Sequence, residues 1–272
     1  MVERAMQEER PQIGSKLDTP GLGTDRWWLL VLGVIGLIAL LVLVWPDPYL
    51  RALNFMFEGV WVSIGVTVVS FLLVAVIGLF GGLGRMSKNP IIHAVSTLYV
   101  EVVRGIPLMV QILFWYFAFP QVVQSIGAAL HIVALENYLA NPFAMAILGL
   151  TICYAAYMSE IYRAGIQSIG KGQMEAARSL GMSQTQAMRY VILPQAIRVI
   201  LPPMGNEFIS LLKDSSLVSV VAVADLTRLG REFSSFSAEP LPTWLLVALL
   251  YLVMTTLSAR VVAWSERKAK LG

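Results

Sequence analysis

Lys213 and Asp214 stand side by side in a stretch otherwise apolar enough to cross a membrane. A charge at the centre of a bilayer is costly unless it is paired or faces water. Two chemistries follow: a polar lining for a translocation path, or a buried ionic lock between helices. Adjacent positions on a helix do not face each other, so the two charges need separate partners. Asn206, Ser210, Ser215 and Ser216 share the stretch and would share the lining.

Glu101 with Arg104, and Glu160 with Arg163, repeat one i,i+3 spacing. That spacing puts each pair on one helical face. Both pairs are expected where a helix meets the membrane interface, holding helices in register. Glu160 also has the charge to meet a cationic solute. Gln111 sits about one turn inside an apolar run. It reads either as a solute contact or as a hydrogen bond to a neighbouring helix.

Other chemistry is poorly represented. Gly165 to Gly172 reads GIQSIGKG, the Gly-x4-Gly-Lys order of a phosphate loop. Gly172 stands where a Mg²⁺-binding Ser or Thr is required, and an apolar helix precedes the loop instead of a strand. The single Cys153 excludes an intrachain disulfide and a cysteine metal site. His93 and His131 are too far apart in sequence to suggest a metal cage. No acid–base or nucleophile constellation stands out. The chain is therefore expected not to be an enzyme and to bind no cofactor or nucleic acid. If ATP drives it, the hydrolysing site and its Mg²⁺ belong to another chain.

The elements that would position these residues are membrane helices. The 272 residues are 57% hydrophobic and 14% charged, with mean hydropathy +0.71, against about 25% charged in soluble domains. Residues 1–26 are polar and aperiodic and read as a disordered cytoplasmic tail. Spans of about 20 apolar residues are expected at 27–45, 60–83, 107–124, 142–162, 203–224 and 241–262. Gly105 and Pro107 break the region from Ile91 onward, so an amphipathic entry piece precedes the third span. Lys and Arg concentrate before span one, between spans two and three, between four and five, and after six. The positive-inside rule then puts both termini in the cytoplasm. The expectation is an all-α integral membrane protein with six transmembrane helices.

Glu175 to Pro194, EAARSLGMSQTQAMRYVILP, is neither a span nor an unstructured loop. Glu175 to Leu180 are helix formers. Gly181 supplies the left-handed residue that ends such a helix. Ser183 and Gln186 have capping-box spacing. A second helix is predicted from about Gln184 towards Ile192, with Pro194 interrupting it. On residues alone this is a helical hairpin lying on the membrane surface.

The same residues resemble a known family. Glu175-Ala176-Ala177, three residues, Gly181, nine residues, then a hydrophobic pair with Leu193-Pro194 resembles the loop signature of permease subunits of binding-protein-dependent ABC importers. Val191 stands where the family often has Ile. YVEVVRGIPLMVQ, YMSEIYRAGIQSI and LPPMGNEFISLLKDSSLVSV resemble its polar amino acid branch, the histidine/glutamine permease group. The likeness covers about Phe57 to the C-terminus.

The resemblance implies a type I importer fold, with a five-helix core plus an N-terminal helix. The N-terminal helix and outer loop would occupy 27–56. The permease domain would be 57–265, with its coupling loop at 170–198, and a cytoplasmic tail would follow at 266–272. It implies a bacterial inner-membrane subunit importing a polar amino acid. The implied partners are an ATP-binding subunit, a second permease and an extracellular binding protein. It assigns Glu175, Ala176, Ala177, Gly181 and Met182 to ATPase docking. An ion-coupled secondary transporter, using Lys213, Asp214 and Glu160, is the rival reading.

Overall fold

The computed structural model describes residues 27–271, so the tail expected at 1–26 lies outside it. The described residues form helices without strands. α1 is Trp27–Val44, α2 Pro46–Arg85, α3 Pro90–Gly105, α4 Leu108–Leu130, α5 Val133–Glu136 and α6 Pro142–Gln167. α7 is Lys171–Ser179, α8 Gln184–Ala187, α9 Leu193–Asp214, α10 Leu226–Ser237 and α11 Pro240–Leu271.

Among the described residues, five helices are long and apolar enough to cross a membrane: α1, α2, α4, α6 and α11. The sixth expected span, the fifth in order, is a helix that falls short of this apolarity. That helix is α9, which begins at Leu193 and carries Pro202 and Pro203 inside it. Arg198, Glu207, Lys213 and Asp214 make it polar. It packs on α6 and α11, and such packing lets a polar helix keep its charges away from lipid.

α2 is longer than its expected span. The range bends at Asp47, which is not helical (φ −104°, ψ 117°), and from Pro48 to Arg85 the helix at 1.5 Å per residue reaches about 57 Å, roughly twice the hydrocarbon core. Among the described residues, α2 and α6 form the most extensive pairing. Glycine permits it: a Cβ at Gly78 would lie 2.6 Å from Met158 Cβ, and one at Gly82 2.8 Å from the Ser159 carbonyl. The core between them is Val66, Val74, Ile112, Ala146, Leu150 and Met158, closed by Leu211 and Val218.

The break before the third span forms as expected. Asn89 caps α3 by accepting from Ile91 N–H at 2.9 Å. α3 stops at Gly105, where Ile106 is extended (φ −104°, ψ 130°), and α4 restarts after Pro107. The residue before a proline is driven out of helical geometry.

Candidate functional site

Two regions carry the sequence-predicted residues. The first is the hairpin after α6. α7 ends in a Schellman turn. Gly181 N–H donates to Arg178 O at 3.0 Å, and Met182 N–H donates to Ala177 O at 3.2 Å. Gly181 has φ +86°, a conformation glycine adopts without steric cost. Ser183 then starts α8 with a reciprocal capping box. Gln186 N–H donates to Ser183 Oγ at 3.3 Å, and Ser183 N–H donates to Gln186 Oε1 at 2.8 Å.

Within the Glu175-Ala176-Ala177 triplet the residues face different ways. Ala177 is buried, while Glu175 and Ala176 are exposed. Met182 is half-buried. Small Ala177 lets α7 lie against the hairpin's second arm, and Ala187 and Ile192 are buried on that arm. Leu180 is 81% exposed beside Gly181, and Tyr190 is 63% exposed. Neither was singled out by sequence, although Leu180 is a large apolar residue at a tight turn, which is the available signal.

Pro194 does not interrupt the second helix. Met188–Ile192 form a π-helical segment that runs directly into α9. The wider turn places Pro194 at the first positions of α9, where its missing N–H costs little. Helical backbone is therefore continuous from Gln184 to Asp214, through the π-helical segment and past Pro202 and Pro203. The GIQSIGKG loop joins α6 to α7, with Gly170 at the N-cap of α7. A phosphate loop would need a strand there.

The second region is a polar strip between α3, α6 and α9. Lys213 and Asp214 are at the end of α9, where a 3-10 turn over Ser215–Val221 begins. They were expected midway along a helix ending near Ala224, and they close it instead, because the helix stops at Asp214. Tyr154 hydroxyl donates to Asp214 Oδ2 at 2.7 Å. Lys213 is exposed, as are Asn206 and Ser210, and the 206, 210, 213 spacing puts these three on one face. Ser215 is buried and donates to Leu212 O.

Gln111 is 6% exposed. Its Nε2 donates to Val103 O at 2.8 Å and Ile106 O at 2.9 Å, and approaches Cys153 Sγ at 3.5 Å. The side chain is committed to carbonyls freed by the α3–α4 break, the hydrogen-bonding alternative of the two readings.

Glu160 is held by Arg85 from α2 and by Arg163, whose Nε donates to it at 3.0 Å. The i,i+3 pair therefore forms and recruits a third charge. The Glu101–Arg104 pair does not form among the described residues. Arg104 instead lies over the Tyr157 ring, 5.0 Å from its centroid, and Glu101 is exposed. An aromatic face attracts a guanidinium and here outcompetes an exposed i,i+3 pair, which is weak.

The strip also contains residues that sequence reasoning passed over: Tyr154, Tyr157 and Glu207. Glu207 is seven residues before Asp214 and so on the same helical face, a signal present in the sequence. A third polar cluster lies beyond the 3-10 turn. Asp225 is fully buried and caps α10, accepting from Thr227 N–H and Arg228 N–H at 3.0 Å. Leu226 N–H donates to Ser63 Oγ at 3.2 Å, and Tyr251 hydroxyl reaches Asp225 at 3.4 Å. Burial pushes the Asp225 carboxyl up to about 6.

Comparison with known proteins gives concordant results. Residues 74–271 match the family model of the binding-protein-dependent transport system inner membrane component. The chain is 42% identical over 199 residues to the arginine transport system permease protein ArgU of Corynebacterium glutamicum, covering 72% of this chain and 62% of that protein. It is 36% identical over 228 residues to the glutamine transport system permease protein GlnP of Escherichia coli, covering 84% and 96%. It is 35% identical over 211 residues to the L-cystine transport system permease protein TcyB of Bacillus subtilis, covering 77% and 84%. A solved structure described as an amino acid ABC transporter with histidines superposes with TM-score 0.71 at 37% identity, covering 80% of this chain and 96% of that one. The MetNI methionine ABC transporter in an inward-facing conformation shares the fold alone, with TM-score 0.58 at 21% identity, covering 78% and 96%.

Proposed function

The chain belongs to the family of binding-protein-dependent transport system inner membrane components, with amino acid ABC permeases among its relatives; from that premise we propose that it forms half of the membrane passage of an ATP-driven importer of a polar amino acid. The hairpin of α7 and α8 docks in the cytoplasm on a separate ATP-binding subunit. A second permease, identical or homologous, completes the passage. An extracellular binding protein delivers the solute. Both termini lie on the cytoplasmic face of the bacterial inner membrane. ATP and Mg²⁺ are held by the ATPase subunit, and this chain carries no cofactor.

The observation that carries this reading is the continuity from Gln184 to Asp214. A hairpin pulled by ATPase closure pulls on one helical run whose far end holds the strip's Lys213 and Asp214. Exposed Leu180 and Glu175 offer the ATPase an apolar contact and a charge on the same short helix-and-turn. Nucleotide then biases a two-state element through differential contacts at the hairpin.

Proteoliposomes containing the permease and ATPase subunits, supplied with the binding protein, should take up amino acid only with ATP. Leu180→Asp should abolish co-purification of the ATPase while leaving the permease monodisperse. Uptake that needs no ATPase and follows an ion gradient would sink the proposal.

A further inference from the structure

A groove runs along the seam where α9 and α11 meet beside α2. One part, of about 250 Å³, is lined by Phe71, Leu201, Met204, Phe208, Val262 and Glu266. A second, of about 160 Å³, takes in Ile64, Leu212 and Met254, and the two parts share Phe208 and Ser258. The floor is fixed where the helices touch, since a Cβ on Gly205 would lie 2.1 Å from Val262 Cγ1. Val261 on the rim is 64% exposed, so the groove opens sideways. Among its lining residues the one charge is Glu266, which stands beside Ser265 near the C-terminal end of α11. Glu266 is half-buried and has no ion pair or hydrogen bond among the described residues. Lys268, two residues on, lies over the Trp264 ring instead, 4.4 Å from its centroid. The Ser265 hydroxyl donates to Val261 O at 3.0 Å, which leaves its oxygen free to accept. This end of the groove therefore offers acceptors and no donor.

We propose that this groove holds an acyl chain of one phosphatidylethanolamine molecule, whose ammonium sits on Glu266 and Ser265. Length fits the chain. From Met254 to Glu266 the groove follows α11 for about 18 Å at 1.5 Å per residue, close to the roughly 15 Å of one leaflet. α11 is long and apolar enough to cross the membrane, so a groove that opens sideways on it faces lipid. The polar end selects the head group. Two acceptors call for a donor, and a primary ammonium brings three N–H groups and a charge. A phosphocholine head has no N–H to give, and a phosphatidylglycerol head has no cation. Exposed Arg267, next to Glu266 in the chain, puts positive charge at the level of the lipid phosphate. The site is distinct from the polar strip, because Leu201, Phe208 and Leu212 lie on the opposite face of α9 from Asn206, Ser210 and Lys213. The proposal goes beyond the importer reading and borrows only its orientation, which puts this lipid in the cytoplasmic leaflet.

The test is native mass spectrometry of the purified permease–ATPase complex after incubation with an equimolar mixture of dioleoyl phosphatidylethanolamine, phosphatidylcholine and phosphatidylglycerol. The wild type should keep one phosphatidylethanolamine per permease chain, favoured roughly 10-fold or more over the other two, the range for one charged hydrogen bond. Oleoyl lysophosphatidylethanolamine, which has a single chain, should displace it. Glu266→Gln should bring the three lipids to equal retention. Ser258→Leu, which puts a larger side chain where the two parts of the groove join, should lose the bound lipid, and Ser258→Val replaces it if that variant fails to assemble. Four results overturn the proposal: equal retention of the three lipids by wild type, a preference that survives Glu266→Gln, a lipid still held by both Ser258 variants, or no lipid on the wild type, as when the second permease covers the groove. ATP-dependent uptake is measured on the same wild-type preparation. Uptake without lipid preference leaves the importer reading standing alone, and lipid preference without uptake leaves the lipid site standing alone.

Discussion

Gly181 shows how much one residue can set. Its φ of +86° closes the Schellman turn, and a Cβ there would meet no neighbour within 4 Å. Any cost of substitution is therefore backbone strain and not a clash. Gly181→Ala should cost about 1–2 kcal/mol in the hairpin. Hydrogen exchange of the peptide 178–186 should then speed up by a factor of roughly 5–30, and unchanged exchange would contradict the reading. Gln111 makes the converse point: its position in an apolar run left solute contact and an interhelical hydrogen bond both open, and its amide satisfies Val103 and Ile106 carbonyls. Gln111→Leu should lower the thermal stability of the purified permease by about 1–3 kcal/mol, the cost of orphaned buried acceptors. Its effect on solute affinity should be small, which dialysis checks.

At the scale of elements, α2 and α6 are joined by close glycine contact where Gly78, Gly81 and Gly82 meet Met158, Ser159 and Tyr162, and beside it by Glu160. Glu160 lies between Arg85 and Arg163, with side chains 16–28% exposed, so the cluster is neither a surface pair nor a fully buried one. Removing the carboxylate leaves two guanidinium groups facing each other. Glu160→Gln should destabilise by about 1–3 kcal/mol, and adding Arg85→Met should recover part of that. A double-mutant cycle on melting should show a coupling of about 1 kcal/mol or more; strict additivity would mean the two helices are held by packing alone. This cluster also shows what the sequence could convey. The local spacing of Glu160 and Arg163 was legible, as were the Gly105–Pro107 break and the Gly181–Ser183 turn, because each is decided within a few residues. Arg85 was not, because it joins from 75 residues away. The Glu101–Arg104 pair failed for the same reason, since Tyr157 on another helix wins Arg104. Pro194 misled because a π segment can absorb a proline that an α-helix cannot.

At the scale of the molecule, Asp225 is where the distant parts converge. It caps α10, and with Leu226 it reaches Ser63 of α2 and Tyr251 of α11. Around it pack Ala52, Met56, Leu226, Phe233 and Leu246, so burial dominates and holds the carboxyl near 6 against an ordinary 3.8. The folded protein thus binds a proton more tightly here than the unfolded chain does. A raised folded-state value means the associated stability is complete below about 4 and is lost as pH rises through about 6. At 1.36 kcal/mol per pKa unit the loss is at most about 3 kcal/mol. Asp225→Asn keeps one acceptor oxygen, for either the Thr227 or the Arg228 amide, and carries no charge at any pH. The melting temperature of this variant minus that of wild type should therefore rise between about pH 4 and pH 6 and level off above. Asp225→Ala, which loses the cap as well, should fall below Asp225→Asn at every pH by about 1 kcal/mol. A flat difference across that range would mean the carboxyl is solvated in the folded membrane protein and that α2, α10 and α11 are joined by their apolar core alone.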